Sequence, residues 1–309
     1  MTSSSSLLAD LSTAARAAIA SAAPSTVAIG RHGRGSGVVV APDRVLTNAH
    51  NLRDRTTLVT FADGRAIQGR VVGSDPDHDL VVLEVETGDA PPLAWSDREL
   101  DTGDAVFAAA RDLDGARVTL GLVTSVRRSF RGPRGRRVKG AVEHSAPLAR
   151  GSSGGPLLDD AGQLVGINTH RLGEGFYLAQ PADEDLRRRV DQLVAGAHLR
   201  SPRLGVAIVG TEETARLRRR VGLPPQAGLL VRGVVEGSPA AAAGVTDGDL
   251  ITAVDGRPVA DVDDLWDGLE AAGDQVEVSL VRGAEPRTVT VSFVADDSDD
   301  DGTDEATSD

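Results

Sequence analysis

The sequence predicts a mainly β chain of about two domains, and three observations support this prediction. Short Val-rich runs alternate with clusters of turn residues, a pattern typical of β-strands. Glycine occurs 35 times, which favours many turns over long helices. The chain has 309 residues, a length that corresponds to about two domains of typical size. Because aromatic residues make up only 3% of the chain, Val, Leu, Ile and Ala must form most of the core.

Residues 1–24 are predicted to form an N-terminal leader or a short amphipathic helix. This segment is rich in Ser and Ala, lacks a basic start, and has Asp10 and Arg16 within its apolar stretch. These features argue against a standard signal peptide, and the sequence has no run of roughly 18 apolar residues to span a membrane. The absence of cysteine excludes disulfides and agrees with a reducing compartment. We therefore expect a cytoplasmic protein, with non-standard export as the alternative.

Residues 25–198 are predicted to form the first domain, an all-β barrel or sandwich. Near its end, Leu186, Val190 and Leu193 recur at helical spacing, which predicts a closing helix over residues 182–197. Apart from that helix the pattern is one of short strands without alternating helices, as in barrels and sandwiches. The strands are expected at residues 37–40, 45–46, 57–61, 80–83, 105–109, 117–126, 137–143, 162–168 and 175–180.

Residues 199–202, which include Ser201-Pro202, are predicted to link the first domain to a second one at residues 203–294. Apolar spacing over residues 262–271 predicts a helix in this second domain. Its strands are expected at residues 204–209, 228–235, 250–254, 275–281 and 288–293. Residues 295–309 are strongly acidic and contain no basic residue, so they are predicted to form a disordered tail.

The net charge of −13 argues against a nucleic-acid-binding protein, which would be basic. Much of this charge comes from the tail. A local basic stretch lies between two predicted strands and contains Arg127, Arg128, Arg131, Arg134, Arg136, Arg137 and Lys139. It is interpreted as a solvated loop, or alternatively as a surface that meets the acidic tail.

The segment Gly151–Leu157 carries the strongest chemical signal. Its glycines allow a tight turn around Ser152 and Ser153 that can aim N–H groups into one concavity, as an oxyanion site requires. A serine nucleophile needs an adjacent base, and His50 directly follows a strand-like run. Asp79 precedes an apolar run, so its carboxylate needs a partner such as an imidazole N–H. Taken singly, these residues are also typical of a Gly/Ser loop, a surface histidine and a strand-entry cap.

Four sequence blocks together form a more specific pattern than any of them alone. They are Gly35–Val40, Leu46–His50, Asp79–Leu83 and Gly151–Leu157. With these motifs in this order, the chain resembles the HtrA/DegP family of trypsin-like serine proteases, over a region from about residue 27 to residue 294. The resemblance implies a mainly β fold in which a two-barrel trypsin-like protease domain precedes a small α+β domain.

The resemblance also implies the catalytic roles. His50 would be the general base, Asp79 the carboxylate that orients it, and Ser153 the nucleophile. The backbone N–H groups of Gly151 and Ser153, with Ser152 between them, would form the oxyanion hole. As a nucleophile Ser152 is the weaker candidate, because only Ser153 lies in a Gly-x-Ser-Gly-Gly setting. Ser152 is therefore assigned to the turn.

The nucleophile region departs from the family pattern at two places. Ser152 stands where the family usually has Asn, and the stretch Ala146–Arg150 lacks the usual Asn-Pro pair before the glycine. Both departures lie at the activation loop, so the sequence leaves open whether the resting site is active or latent. His78, beside Asp79, is interpreted as structural, because alternation in an extended segment would turn it the opposite way.

The resemblance places the wall of the substrate pocket on both sides of the nucleophile in sequence. Acidic residues that would favour a basic P1 side chain are missing there, so small to medium apolar P1 residues are expected. Core packing is the alternative interpretation of Tyr177. The chemistry needs no cofactor and no metal, so chelators should not inhibit. The wall residues are Asn168, Thr169, His170, Tyr177, Leu178 and Ala179.

Residues 203–294 resemble a bacterial PDZ domain, on the blocks Gly237–Ala240, Ala243–Val245, Gly248–Ile251 and Val254–Val259. Such a domain binds a peptide C-terminus by strand addition, and backbone N–H groups of a loop capture the carboxylate. Trp266 is interpreted as a core anchor, and the alternative for Arg203 is a solvated charge. The peptide-binding residues implied by the resemblance are Arg203, Leu204, Gly205, Val206, Ile208 and Leu265.

Together these motifs predict a serine endopeptidase that hydrolyses unfolded or damaged proteins, while its PDZ domain binds peptide C-termini. The alternative is a latent protease that acts mainly as a peptide-binding, chaperone-like module. The complete His-Asp-Ser set favours the first function, and the altered activation loop leaves room for the second. The resemblance further implies a homotrimer assembled through the protease domain, without nucleic acid and without a membrane span.

Overall fold

The structure is a computed structural model that describes residues 4–131, 137–173, 175–199 and 201–293. The chain divides into two compact units, residues 1–200 and residues 201–309. Two closed barrels of six antiparallel strands make up most of the first unit. The second unit consists of a six-stranded sheet and short helices.

Helix α1 (Ser4–Ala22) precedes the first barrel. Around this barrel the neighbouring strands follow the order β1-β2-β3-β6-β5-β4. Strand β6 pairs with both β3 and β5, and its first four residues are buried. The strands are β1 (Thr26–Ile29), β2 (Gly35–Ala41), β3 (Arg44–Asn48), β4 (Thr56–Thr60), β5 (Ala66–Asp75) and β6 (Leu80–Glu84).

The second barrel repeats this plan with the order β10-β11-β12-β9-β8-β7. Strand β10 is short, so β11 pairs with it only up to Ile167. The backbone of Asn168 still bonds to Gly154 and Gly155, and beyond Asn168 the described ladder of β11 is with β12. One edge of β11 is therefore open next to the segment that precedes β10. The strands are β7 (Ala105–Asp112), β8 (Gly115–Arg131), β9 (Arg137–His144), β10 (Pro156–Leu158), β11 (Leu164–Gly173) and β12 (Phe176–Pro181).

One hydrophobic cluster joins the two barrels and the helices that flank them. It contains fully buried side chains from the first barrel, such as Leu46 and Leu80, and Ile167 from the second. Helix α2 (Glu184–Val194) begins at Asp183, whose carboxylate accepts the N–H of Leu186, and buries its apolar face in the same cluster. Because burial of apolar surface is the main stabilising term, this shared core fixes the barrels against each other.

Helix α1 is part of the folded unit. Ala18 and Ala22 are fully buried in the shared cluster, and the Ser21 hydroxyl donates to the carbonyl of Gly162. The buried Arg111 guanidinium donates to the carbonyl of Ala23, just after the helix end. A cation near the C-terminus of a helix interacts favourably with its dipole. Of the two predicted forms of residues 1–24, the structure has the helix.

The second unit is a sheet in the order β13-β14-β15-β17-β18, with the short β16 paired to β15. Strand β13 lies at the edge of this sheet. Apolar residues from the strands and from α5 form its core. The elements are β13 (Val206–Val209), α3 (Thr211–Arg220), β14 (Leu229–Val234), α4 (Pro239–Ala242), β15 (Asp249–Val254), β16 (Arg257–Pro258), α5 (Val262–Glu270), β17 (Gln275–Arg282) and β18 (Glu285–Ser292).

Four strands and one helix were not expected from the sequence. Strands β1, β10 and β16 are only two to four residues long, and β5 is interrupted by exposed polar residues. Helix α3 was missed because it is mostly charged, and the side chains it buries include Thr214 and Arg218. The acidic tail and part of the basic stretch between β8 and β9 lie outside the described residues.

Candidate active site

The first barrel supplies an imidazole next to a buried carboxylate. Strand β3 continues into a single 3-10 turn, Ala49–Asn51, which carries His50. Asp79, directly before β6, is 1% exposed and adopts a positive φ of 58°. Its carboxylate accepts the backbone N–H of His50 at 2.9 Å and lies 2.5 Å from His50 Nδ1. Because Nδ1 faces the carboxylate, Nε2 is the ring nitrogen left to exchange a proton.

Ser153 lies in the tight turn before β10, and bonds from the first barrel hold its backbone. Its carbonyl accepts the N–H of Ser36 and the side-chain amide of Asn51, each at 2.8 Å. Its hydroxyl donates to the carbonyl of Thr169 at 3.0 Å. Within residues 4–131 and 137–173, no hydrogen bond joins His50 to Ser153. The hydroxyl must therefore rotate away from Thr169 before the imidazole can take its proton.

Two backbone N–H groups in this turn are unoccupied. Neither the N–H of Gly151 nor that of Ser153 donates a hydrogen bond to the described part of the chain. The N–H of Ser152 differs, because it donates to the carbonyl of Ala149 at 3.3 Å and closes a turn. Of the three residues proposed for the oxyanion hole, Gly151 and Ser153 thus have available donors and Ser152 does not.

Gly151 must be a glycine at this position. Its φ is 86°, and a Cβ atom there would lie 2.5 Å from the carbonyl oxygen of Gly33. The carbonyl of Gly151 accepts the hydroxyl of the fully buried Ser36 at 2.8 Å. The first barrel therefore fixes the peptide unit that follows Gly151.

The predicted pocket wall needs a correction. Asn168, Leu178 and Ala179 have no exposed surface, so their side chains support the wall from behind and line no cleft. Tyr177 is 7% exposed and stacks on His144, in agreement with the alternative of core packing. Thr169 contributes its carbonyl, which accepts the Ser153 hydroxyl.

His170 remains next to the candidate site. Its ring centre lies 6.0 Å from that of His50 and 4.7 Å from that of Phe130, and its Nδ1 lies 2.8 Å from Thr169 Oγ1. Burial lowers the pKa of His170. The charge of Asp79 acts to raise this pKa, His50 has a smaller lowering effect, and the net shift is downward. A second imidazole with a lowered pKa therefore flanks the first.

His78 pairs with a different carboxylate, as the structural interpretation requires. The segment before β6 is a turn rather than extended, so the reason given for that interpretation was wrong. His78 Nδ1 lies 2.9 Å from Asp75 Oδ2, and Arg189 Nη1 donates to the same oxygen at 3.1 Å. Burial acts to raise the pKa of Asp75, but these two partners outweigh burial and lower it.

A buried network behind the candidate nucleophile was missed in the sequence. Nε2 of the fully buried His144 donates to Asn168 Oδ1 at 3.1 Å, and Asn168 Nδ2 donates to the carbonyls of Gly155 and Pro156. Burial lowers the pKa of His144 to about 4. A lone histidine far from Ser153 in sequence gives no signal of such a role, whereas Ser36 and Asn51 lie within or beside motifs already singled out.

In the second unit, the predicted carboxylate loop also has free donors. The N–H groups of Leu204 and Gly205 donate no hydrogen bond to the described residues, while both carbonyls are bonded within the unit. Val206 and Ile208 lie on the edge strand β13, where one side is unpaired in the described sheet. Leu265 of α5 is 5% exposed and belongs to the core of the unit.

Comparison with known proteins agrees with this architecture. A family model for the trypsin-like peptidase domain matches residues 35–167, and one for the PDZ domain matches residues 202–293. HhoA from Synechocystis sp. is 34% identical over 84% of this chain and 70% of HhoA. The periplasmic pH-dependent serine endoprotease DegQ of Escherichia coli is 30% identical over 84% of this chain, a match that spans 59% of DegQ.

Solved structures share the fold. The structure of the HtrA-type protease AlgW with decapeptide superposes with a TM-score of 0.73 at 24% identity, and the match covers 90% of this chain and 97% of AlgW. Two six-stranded barrels followed by a PDZ sheet define a trypsin-like serine endopeptidase with a PDZ domain. The chain belongs to the HtrA family of these proteases, so the predicted fold, family and enzyme class are confirmed.

The expected cytoplasmic location is wrong. Two relatives from Escherichia coli, DegQ and DegP, are both named periplasmic serine endoproteases. The expectation rested on the composition of residues 1–24, the lack of a long apolar run and the absence of cysteine, and these features together did not identify the compartment. In the described residues, helices that are both long and apolar enough to cross a membrane are absent.

Proposed function

We propose that this endopeptidase cuts peptide bonds with Ser153 as nucleophile, His50 as general base and Asp79 as the carboxylate that orients His50. The observation that carries the proposal is the 2.5 Å contact between His50 Nδ1 and the buried Asp79. A buried carboxylate at this nitrogen fixes the tautomer that leaves Nε2 unprotonated, and it stabilises the imidazolium that forms during attack.

In the proposed reaction, His50 Nε2 takes the hydroxyl proton while Ser153 Oγ bonds to the substrate carbonyl carbon. The carbonyl oxygen becomes an oxyanion that accepts the free N–H groups of Gly151 and Ser153, and one such donor is typically worth about 3–4 kcal/mol. His50 then protonates the leaving amine as the C–N bond breaks. Water, activated by the same imidazole, releases the acyl group from Ser153.

The proposed substrates are unfolded or damaged proteins, which present flexible segments and accessible C-termini. The edge strand β13 and the free donors at Leu204 and Gly205 support capture of a C-terminal peptide by strand addition. For location we propose the periplasm, on the similarity to DegQ and DegP. Cell fractionation with a cytoplasmic marker tests the location.

The test of the catalytic proposal is hydrolysis of a permanently unfolded reporter protein. The wild type should cut it, with and without a chelator, while Ser153→Ala and His50→Ala should each lose at least about 1,000-fold in rate. Ser152→Ala is the matched control, since it removes the neighbouring hydroxyl and should retain most activity. Cleavage by Ser153→Ala at the wild-type rate would contradict the proposed nucleophile.

A second candidate function is a latent protease that mainly binds peptides, and one observation favours it. The Ser153 hydroxyl is bonded to Thr169 instead of His50, as in a site that awaits rearrangement. In that case, the wild type would bind C-terminal peptides without cutting the reporter. Addition of the same peptides to the assay distinguishes a triggered enzyme from a binding module.

A further inference from the structure

A cleft of about 710 Å³ on the first barrel has no role in the function proposed so far. The connection between β1 and β2 and the segment after His50 form its walls. We call it the cationic cleft, because its lining includes Arg31, His32, Arg34 and Arg53, with Asp54 as its one carboxylate. This excess of positive charge contrasts with the net charge of −13 of the whole chain.

The cations of this cleft are available to a ligand. Arg31, Arg34 and Arg53 are all exposed, and none of their guanidinium groups pairs with a residue in the described part of the chain. Several like charges in one concavity raise the local potential and attract a group of opposite sign. Arginine is also the side chain best suited to bidentate recognition of carboxylates.

The cationic cleft begins beside the candidate nucleophile. Asn51, part of its lining, donates to the carbonyl of Ser153 at 2.8 Å. The carbonyl of Gly33, in the β1–β2 connection, faces Gly151 so closely that a Cβ atom there would lie 2.5 Å away. The cleft thus adjoins the oxyanion donors on the side of the first barrel, whereas Thr169 and the open edge of β11 belong to the second barrel.

We propose that the cationic cleft binds the residues on the C-terminal side of the cut bond and selects acidic side chains there. This inference rests on the proposed function, because it uses Ser153 and His50 as the reacting groups. The acyl half of a substrate stays on Ser153 along β11. The leaving amine must lie next to His50, because it takes its proton from this residue. The part of the substrate attached to this amine would then extend past Asn51 toward Arg53. At about 3.3 Å per extended residue, the first few leaving residues fall within such a cleft.

The test uses quenched-fluorescence peptides that share one sequence before the cut bond and carry Glu, Gln or Lys at the three positions after it. The full-length wild type should cleave the Glu peptide with a kcat/KM about tenfold above the Gln peptide, since each exposed charge pair contributes modestly. The Lys peptide should be cleaved more slowly than the Gln peptide. The preference should shrink as salt rises from 0.05 to 0.5 M, where charges are screened over shorter distances.

Two triple variants isolate the cleft from the overall charge. Arg31→Gln, Arg34→Gln and Arg53→Gln together should bring the Glu-to-Gln ratio close to one. The matched control replaces three exposed arginines elsewhere and should keep the wild-type ratio. Equal ratios in both triple variants would overturn the inference. The control substitutions are Arg16→Gln, Arg219→Gln and Arg220→Gln.

A binding measurement separates failure of the inference from failure of the catalytic proposal. Fluorescence anisotropy of a labelled Glu-Glu-Glu peptide with an amidated C-terminus is measured on full-length Ser153→Ala, which needs no turnover. Binding at least about tenfold tighter than that of the Gln-Gln-Gln peptide, lost in the cleft triple variant, supports the inference even if the wild type cuts nothing. Equal binding of the two peptides contradicts it, even if Ser153 is the nucleophile.

Discussion

Asp79 illustrates how one backbone angle can create a functional contact. Its φ of 58° is uncommon for a residue other than glycine, and it turns the carboxylate back toward the end of β3. There the side chain meets both the backbone N–H and Nδ1 of His50, while its own carbonyl accepts the N–H of Ala49 at 3.0 Å. Strain of this kind persists where several contacts fix it, which agrees with a site that must hold one geometry.

Replacing this carboxylate by an amide tests its proposed role. Asp79→Asn keeps the size of the side chain but offers an N–H where His50 needs an acceptor, so the imidazole should lose its orientation. We expect kcat on an unfolded reporter to fall by about 10,000-fold, with a melting temperature close to that of the wild type. A fall below tenfold in an equally folded variant would mean that Asp79 does not orient His50.

The buried His144 makes stability depend on pH. Its pKa is about 4 in the folded chain against 6.5 for the exposed group, so the unfolded state binds a proton first as pH falls. The free energy of unfolding should therefore decrease from pH 6.5 to pH 4 by about 3 kcal/mol from this residue. Urea unfolding of the wild type and of His144→Gln across this range measures the difference. Parallel pH curves for the two proteins would contradict the prediction.

Local sequence patterns single out some candidate residues, whereas packing determines the place of others. His50, Asp79 and Ser153 each follow or precede a recognisable run, so the sequence could propose all three, and their catalytic roles stay predictions. The structure brings His50 and Asp79 into contact. Asn168 was assigned to the substrate pocket, but it is fully buried, and its side-chain amide donates to the carbonyl of Gly155 in the turn after Ser153. Only the three-dimensional position of β11 reveals this, because no feature of its neighbours distinguishes an inward from an outward side chain.

Among the secondary-structure elements, the strands with apolar runs were predictable and the polar helix α3 was not. Its sequence lacks an apolar stripe. The Thr214 hydroxyl accepts the N–H of Leu230 in β14, and the Arg218 guanidinium donates to the carbonyl of Pro224 in the loop before that strand. Helix α1 was predicted only as one of two alternatives. The small residues of this helix allow close packing, and Ala18 and Ser21 lie against the turn at Gly162. The sequence alone does not identify this turn as the packing partner.

The approach of α1 to this turn predicts the effect of one added methyl group. A Cβ atom on Gly162 would lie 2.8 Å from Ser21 Cβ, so Gly162→Ala should lower the free energy of unfolding by about 2–4 kcal/mol. Gly64→Ala is the control, because Gly64 has a similar φ but open space around it. It should cost only about 1 kcal/mol, from the backbone alone. Chemical denaturation measures the free energy of unfolding of both variants. Equal decreases would show that α1 does not pack closely against Gly162.

At the scale of the whole molecule, the division into a peptidase unit and a PDZ unit was predictable from the change of motifs near residue 200. The cellular compartment was not predictable in this way, because the composition of the N-terminal segment did not indicate the periplasmic location of the relatives DegQ and DegP. The assembly into a homotrimer stays a prediction, which light scattering of the full chain can test.

The second unit should recognise a free carboxylate in the context of the full chain. A peptide ending in an apolar residue should bind Ser153→Ala through the donors at Leu204 and Gly205, and its C-terminal amide should bind at least about tenfold more weakly because it loses the charged acceptor. Isothermal titration compares the two peptides. Equal affinities would exclude carboxylate capture by this loop.

The proposed triad is tested most directly by a fluorophosphonate probe, which reacts with a serine only where a base activates it and amide donors receive the developing charge. Mass spectrometry of the digested chain should find the adduct on Ser153 in the wild type, with strongly reduced labelling in His50→Ala and none at this position in Ser153→Ala. An adduct on another serine, or a wild type that stays unlabelled even with a C-terminal peptide bound to its PDZ domain, would contradict the triad.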